Sequence, residues 1–162
     1  MSGLDLNLLA AETAIVDRLK AATQTGPDAW CRKVGTRDYL ATVAEESQDA
    51  PAVYLVYDGP VVFEADEQRA SMGHRWLAVV AVATAALARE AAPRNQMAGP
   101  YMGSVLAALH GFLPPAHTHA LVPITPPRPF YSDGGKFAYY PLAFVGRAMF
   151  SKRFGMAGAT PN

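Results

Sequence analysis

Two segments of this chain, residues 52–57 and 74–84, carry apolar side chains at both parities of an extended backbone. A strand with one wet face alternates apolar and polar residues; one that is apolar on both faces must be covered on both, deep within a sheet. The first run, Ala52-Val53-Tyr54-Leu55-Val56-Tyr57, is rich in β-branched and aromatic residues and ends at the turn pair Asp58-Gly59, followed by Pro60. In the second, Trp76, Ala78, Val80 and Val82 share one face while Leu77, Val79 and Ala81 share the other. Between the strands, Glu64-Ala65-Asp66-Glu67-Gln68-Arg69 reads as a polar, mobile loop that continues to Gly73.

The two faces need covering elements. Residues 5–22 have helical periodicity: Leu8, Ala11, Ile15, Leu19 and Ala22 form one stripe, widened by Leu9 and Val16. Asp5 or Asn7 is placed to cap it, and Thr25-Gly26-Pro27-Asp28 stops it. A second helix is predicted from Gly99-Pro100, with Met102, Val105, Leu106, Leu109 and Phe112 as its stripe and Gly111 with Pro114-Pro115 at its end. Residues 30–35 suggest a short extended piece, residues 38–48 one or two helical turns, and the alanine-rich 85–92 a further helical stretch that Pro93-Arg94-Asn95 ends. The last third reads as a hairpin: residues 118–125, a turn at Ser132-Asp133-Gly134-Gly135, then residues 136–150, bent by Pro141 and Gly146. The expected fold is α+β, a mixed or antiparallel sheet of about four strands with two main helices on one face. Residues 1–150 are expected to form a single domain and 151–162 a flexible C-terminal tail.

Charge narrows the function. Fourteen basic side chains balance fourteen acidic ones, which disfavours a dedicated nucleic-acid binder and leaves little repulsion between copies. With 51% hydrophobic residues and a mean hydropathy of +0.06, the chain is apolar for a soluble protein, and neighbouring subunits would explain that. No apolar run is long enough to span a bilayer and no leader is apparent at Met1-Ser2-Gly3-Leu4-Asp5, so a cytosolic protein with no membrane contact is expected. Cys31, the sole cysteine, excludes an intrachain disulfide and reads as a small buried group.

Catalytic signatures are sparse. His110, His117 and His119 are the one histidine cluster that could hold a metal, since alternate strand positions bring His117 and His119 to one face; no carboxylate close in sequence completes the set, and surface histidines are the simpler reading. Ser132-Asp133-Gly134-Gly135 lacks the Lys and the following helix of a phosphate-binding loop and reads as a turn. Glu45-Glu46 and the acids at 64–67 sit among polar residues and read as solvated. No catalytic residue, cofactor or metal is assigned, and a non-enzymatic protein is expected.

The run Pro51-Ala52-Val53-Tyr54-Leu55-Val56-Tyr57-Asp58-Gly59 resembles the Mu-like phage tail-terminator family. So do the opening helix ending Ile15-Val16-Asp17-Arg18-Leu19-Lys20, the strand 76–84, Gly99-Pro100-Tyr101 and the late strand 139–147, in order and spacing across most of residues 5–150. The resemblance implies a structural virion protein without catalytic residues, assembled in the host cytoplasm. It would form a ring, expected to be hexameric, that caps the tail tube and joins it to the neck. Implied partners are further copies of the chain, the tail-tube protein, the neck or stopper protein, the sheath protein, and genomic DNA passing through the lumen without sequence specificity. Candidate interface or lumen residues are Glu64, Asp66, Glu67, Ser132, Asp133 and Lys136. The alternatives are another neck component, such as a stopper or head-completion protein, and a small metal-binding enzyme using His110, His117 and His119.

Overall fold

The computed structural model describes residue 7 and residues 9–38, 48–83 and 94–151. The readings of residues 85–92 as helical and of most of 38–48 as helical turns lie outside them, as does the tail expected over 151–162 apart from Ser151, which ends the last strand. The order is α1 (Ala11–Thr23), β1 (Lys33–Thr36), β2 (Ala52–Ala65), β3 (Arg69–Ala83), α2 (Arg94–Leu109), β4 (His119–Ile124), β5 (Phe130–Tyr131) and β6 (Phe137–Ser151). The six strands form one sheet in the order β1-β2-β3-β6-β4, with β5 also paired to β6. Among the described residues only the β1–β2 pairing is parallel; the other pairs are antiparallel. The fold is α+β, as expected, with two helices among the described residues. The two strands beyond the expected four are β1 and β5, of four and two residues, too short to give a periodic signal.

The two apolar parities of β3 do lie on two covered faces. Trp76, Ala78, Val80 and Val82 join Val53 and Leu55 of β2 and Ala138, Tyr140 and Phe144 of β6 beneath the helices. Ala11, Ile15 and Leu19 of α1 and Ala98, Val105 and Leu109 of α2 complete this main core. The stripes differ in detail from the sequence reading. Thr23 rather than Ala22 closes the buried face of α1, held by its hydroxyl donating to the Leu19 carbonyl at 2.7 Å. Ala98 and Ala108 are buried on α2, whereas Leu106 is exposed. The helices are tied together by Arg18, whose Nε donates to the Ala108 carbonyl at 3.0 Å. Trp30 stacks on Tyr101 at 4.3 Å and donates from Nε1 to Ser104 Oγ at 3.0 Å, pinning the lead-in to β1 against α2.

Helix boundaries also shift. Ala10 occupies the N-cap of α1 without a side-chain cap, and Asn7 instead accepts from the Leu9 amide at 3.0 Å. Helix α2 begins at Arg94 and carries Pro100 inside it. Proline lacks the amide for one helical bond, yet the burial of Ala98 on one side and Val105 on the other holds both halves to the sheet. Among the described residues, no helix is long and apolar enough to cross a membrane.

The opposite sheet face has a smaller core of Ala52, Tyr54, Val79, Ala81, Phe137 and Tyr139. Tyr139 donates from its hydroxyl to Gln48 Oε1 at 2.6 Å, so chain outside the sheet meets this face too.

The largest departure concerns residues 58–73. Strand β2 does not stop at Asp58-Gly59-Pro60 but runs on to Ala65. One extra β2 residue is absorbed between Tyr57↔Trp76 and Pro60↔His74, and Gly59 takes φ +100°, the left-handed region that glycine enters freely. A second bulge, at Phe63, falls between Val62↔Met72 and Glu64↔Ser71. The turn pair is therefore a bulge and the expected mobile loop a hairpin. Its turn is closed by Asp66, whose Oδ1 accepts from the amides of Gln68 at 2.7 Å and Arg69 at 2.8 Å.

Candidate functional site

The long hairpin sets the geometry of the surface. Strand β1 covers only the first four residues of β2, Ala52 to Leu55, so from Val56 onward one edge of β2 has no neighbouring strand among the described residues. On the far side β4 pairs with β6 as far as Arg147, level with Val61, and beyond it the tip is three strands wide: β2, β3 and the end of β6, with Arg69↔Ser151 as the last pair. At about 3.3 Å per residue, Val56 to Ala65 spans about 30 Å. Val61, Val62, Phe63 and Met149 are exposed on it, Val62 at 59% and Met149 at 51%. Apolar side chains so placed on a strand end mark a contact surface more readily than a solvated one.

The side chains show how this end is stiffened. The Phe63 ring crosses the strand onto Gly73: a Cβ there would lie 2.3 Å from Phe63 Cε2, so only glycine admits the ring in this position. The Arg147 guanidinium lies 3.8 Å from the centre of the same ring, a cation–π stack from β6 across β3 to β2. Nearer the root, Arg75 Nε is 2.8 Å from Asp58 Oδ2, an ion-pair distance across the bulge.

The acidic residues Glu64, Asp66 and Glu67 lie at this tip, exposed, with Arg69 beside them. Hydrogen bonds from the Gln68 and Arg69 amides hold the Asp66 carboxyl below the usual carboxylate range. Ser132, Asp133 and Lys136 are elsewhere. They belong to the β5–β6 turn, where Ser132 accepts from the Gly135 amide at 2.8 Å, and β6 leaves that turn at Phe137 to reach the acidic tip only at Ser151. Fifteen residues of extended strand separate the two groups by about 45–50 Å. The six residues therefore occupy opposite ends of the sheet.

The histidines regroup in a way the sequence did not signal. His110 is exposed just beyond α2, as expected. His119 starts β4, exposed, its Nδ1 3.0 Å from Thr118 Oγ1. His117 turns away from both and packs against His74, ring centres 5.6 Å apart. His74 is fully buried, with Nδ1 3.1 Å from the Tyr57 hydroxyl, and His117 Nδ1 is 3.1 Å from the Pro115 carbonyl. The Nε2 atoms of both rings are buried without a protein partner. Burial, and next the neighbouring His117, push the His74 pKa below the usual imidazole value. The expected trio of His110, His117 and His119 does not converge, and among the described residues no three His, Cys, Asp or Glu side chains gather as a metal-ligand set.

On the face away from the helices, a groove of about 270 Å³ opens over Tyr54, Val56, Leu77, Val79 and Pro141, with Phe130 as a wall and Arg37 at its rim. Its lining is almost wholly apolar. It is shallow and open, without the convergent polar groups that fix a small substrate.

No curated protein matches the sequence significantly. A family model described as phage tail terminator protein matches residues 5–152, a span that holds every helix and strand of the described residues. A match over that much of the sequence settles its kinship: the chain belongs to the phage tail terminator family.

Proposed function

We propose that this protein is the subunit of a ring, six copies by the family's expected habit, that closes the tail tube and carries the joint to the neck. It acts by contact, without catalysis or cofactor. Its partners are further copies of itself, the tail-tube protein, the neck or stopper protein and the sheath, with DNA crossing the lumen unread. It would assemble in the host cytoplasm and end in the virion. Tail membership follows from the family; the ring reading rests chiefly on the distal hairpin, an apolar, acid-tipped strand end projecting about 30 Å beyond the strand that shields its root. A ring needs two different, complementary patches on each subunit, and the two ends of this elongated sheet are unlike in charge and shape.

Within this reading Glu64, Asp66 and Glu67 serve a subunit contact or the lumen wall, and Ser132, Asp133 and Lys136 the opposite rim of the ring. Acidic groups on a lumen wall would keep passing DNA from adhering. Native mass measurement across concentration, with and without the cognate tail-tube protein, tests the ring. Discrete closed oligomers are expected. A monomer under every condition contradicts the reading.

A further inference from the structure

We infer that the hairpin tip of one copy seats on the apolar groove of the next, making the ring contact head-to-tail; this rests on the ring reading above. The groove offers an apolar floor of Tyr54, Val56, Leu77 and Val79, with Arg37 at its rim and Arg128 on the exposed segment leading into Phe130. The tip offers what such a site selects. Val61 and Val62 are exposed apolar side chains, and Glu64, Asp66 and Glu67 outnumber the single Arg69 beside them. An apolar side chain set into an apolar floor, with carboxylates reaching a rim guanidinium, satisfies both partners.

Geometry assigns the occupant to a second copy. Tip and groove belong to the same continuous strands, β2 and β3, and the groove residue Val56 is about 30 Å from Ala65 at the tip. A chain cannot fold its own tip onto its own groove without breaking that sheet. Complementary patches that cannot meet within one subunit meet between subunits, and such a heterologous contact closes into a ring when the rotation permits. The contact is made by side chains rather than by strand addition. Two bulges and Pro60 interrupt the free edge of β2, so it offers no regular ladder of amides and carbonyls to a passing strand.

Cysteine pairing tests this directly, because the native Cys31 is buried. Val62→Cys and Val56→Cys proteins are made separately, mixed under assembling conditions and oxidised. A disulfide-linked dimer is expected from the mixture and from neither protein alone. A dimer of Val62→Cys with itself would mean a two-fold contact, and linkage of Val62→Cys only to added tail-tube protein would mean a different occupant; either overturns the inference. Charge reversal is the second arm, at exposed positions where the fold is retained, as circular dichroism would verify. Arg37→Glu, and separately Glu64→Lys with Glu67→Lys, should each raise the concentration needed for assembly at least tenfold. All three changes in one chain should recover most of that loss. Rings that form equally well in every variant and give no Val62–Val56 disulfide refute the groove contact while leaving the ring intact. Absence of any ring for the unmodified protein, with or without tube protein, refutes the ring reading itself.

Discussion

Phe144→Ala measures whether β6 is a true core strand in the register described. Phe144 is fully buried, opposite Trp76 on β3 and Pro123 on β4. Removing a buried phenylalanine ring costs about 3–5 kcal/mol, the lost transfer energy plus the cavity left when neighbours relax only partly. For a chain of this length each kcal/mol moves the midpoint by about 2–4 °C, so a drop of about 6–20 °C is expected. Against a total stability of about 5–15 kcal/mol, that is a large share. The same chemical change at Phe130 is the control. That ring is half exposed, at 50%, and stacks on Tyr139 at 4.9 Å, so its loss should cost only about 0.5–1.5 kcal/mol. Thermal and urea unfolding of both variants read the difference. Phe144→Asp goes further, placing an unpaired charge in the same site, and should leave no folded protein. Equal losses for the two alanine variants, or a Phe144→Ala loss under about 1 kcal/mol, would refute the parity assigned to β6.

Three smaller expectations follow from local geometry. Gly146→Ala would put a Cβ 2.6 Å from His117 Cδ2 and 3.0 Å from Leu121 Cδ2, so it should destabilise by about 1–3 kcal/mol, and His117→Ala should relieve part of that in the double variant. The His74 pKa is lowered in the folded protein, so the unfolded chain takes up the proton first; stability should fall as pH drops through the ordinary imidazole range near 6.5 and hold above it, and His74→Gln should flatten that slope in urea titrations at stepped pH. Burial pushes the Cys31 thiol up, outweighing its hydrogen bonds from and to Thr23, Lys33 and Val53, so a thiol reagent should label the native protein more than about tenfold slower than the unfolded one.

What could be read from the sequence was what depends on near neighbours along it. The double-faced strands, the Ile15–Leu19 stripe and the Ser132–Gly135 turn each follow from periodicity or turn chemistry within a dozen residues. The distal hairpin was hidden because Asp58-Gly59-Pro60 has the same composition whether it ends a strand or bulges it, and only the pairing of Pro60 with His74 decides between them. The start of helix α2 is masked in the sequence for a related reason: Pro100 favours a first helical position, but tertiary packing of Ala98 and Val105 carries the helix through it. The groove and the His74–His117 contact join residues remote in sequence, so no local pattern could report them.

The most direct test of the account is to watch tail tubes end. Purified tail-tube protein polymerised with this protein should give tubes carrying one ring-shaped cap at one end in electron micrographs, with growth halted there. Tubes that lengthen freely at both ends and bear no cap, despite folded protein in excess, would contradict it.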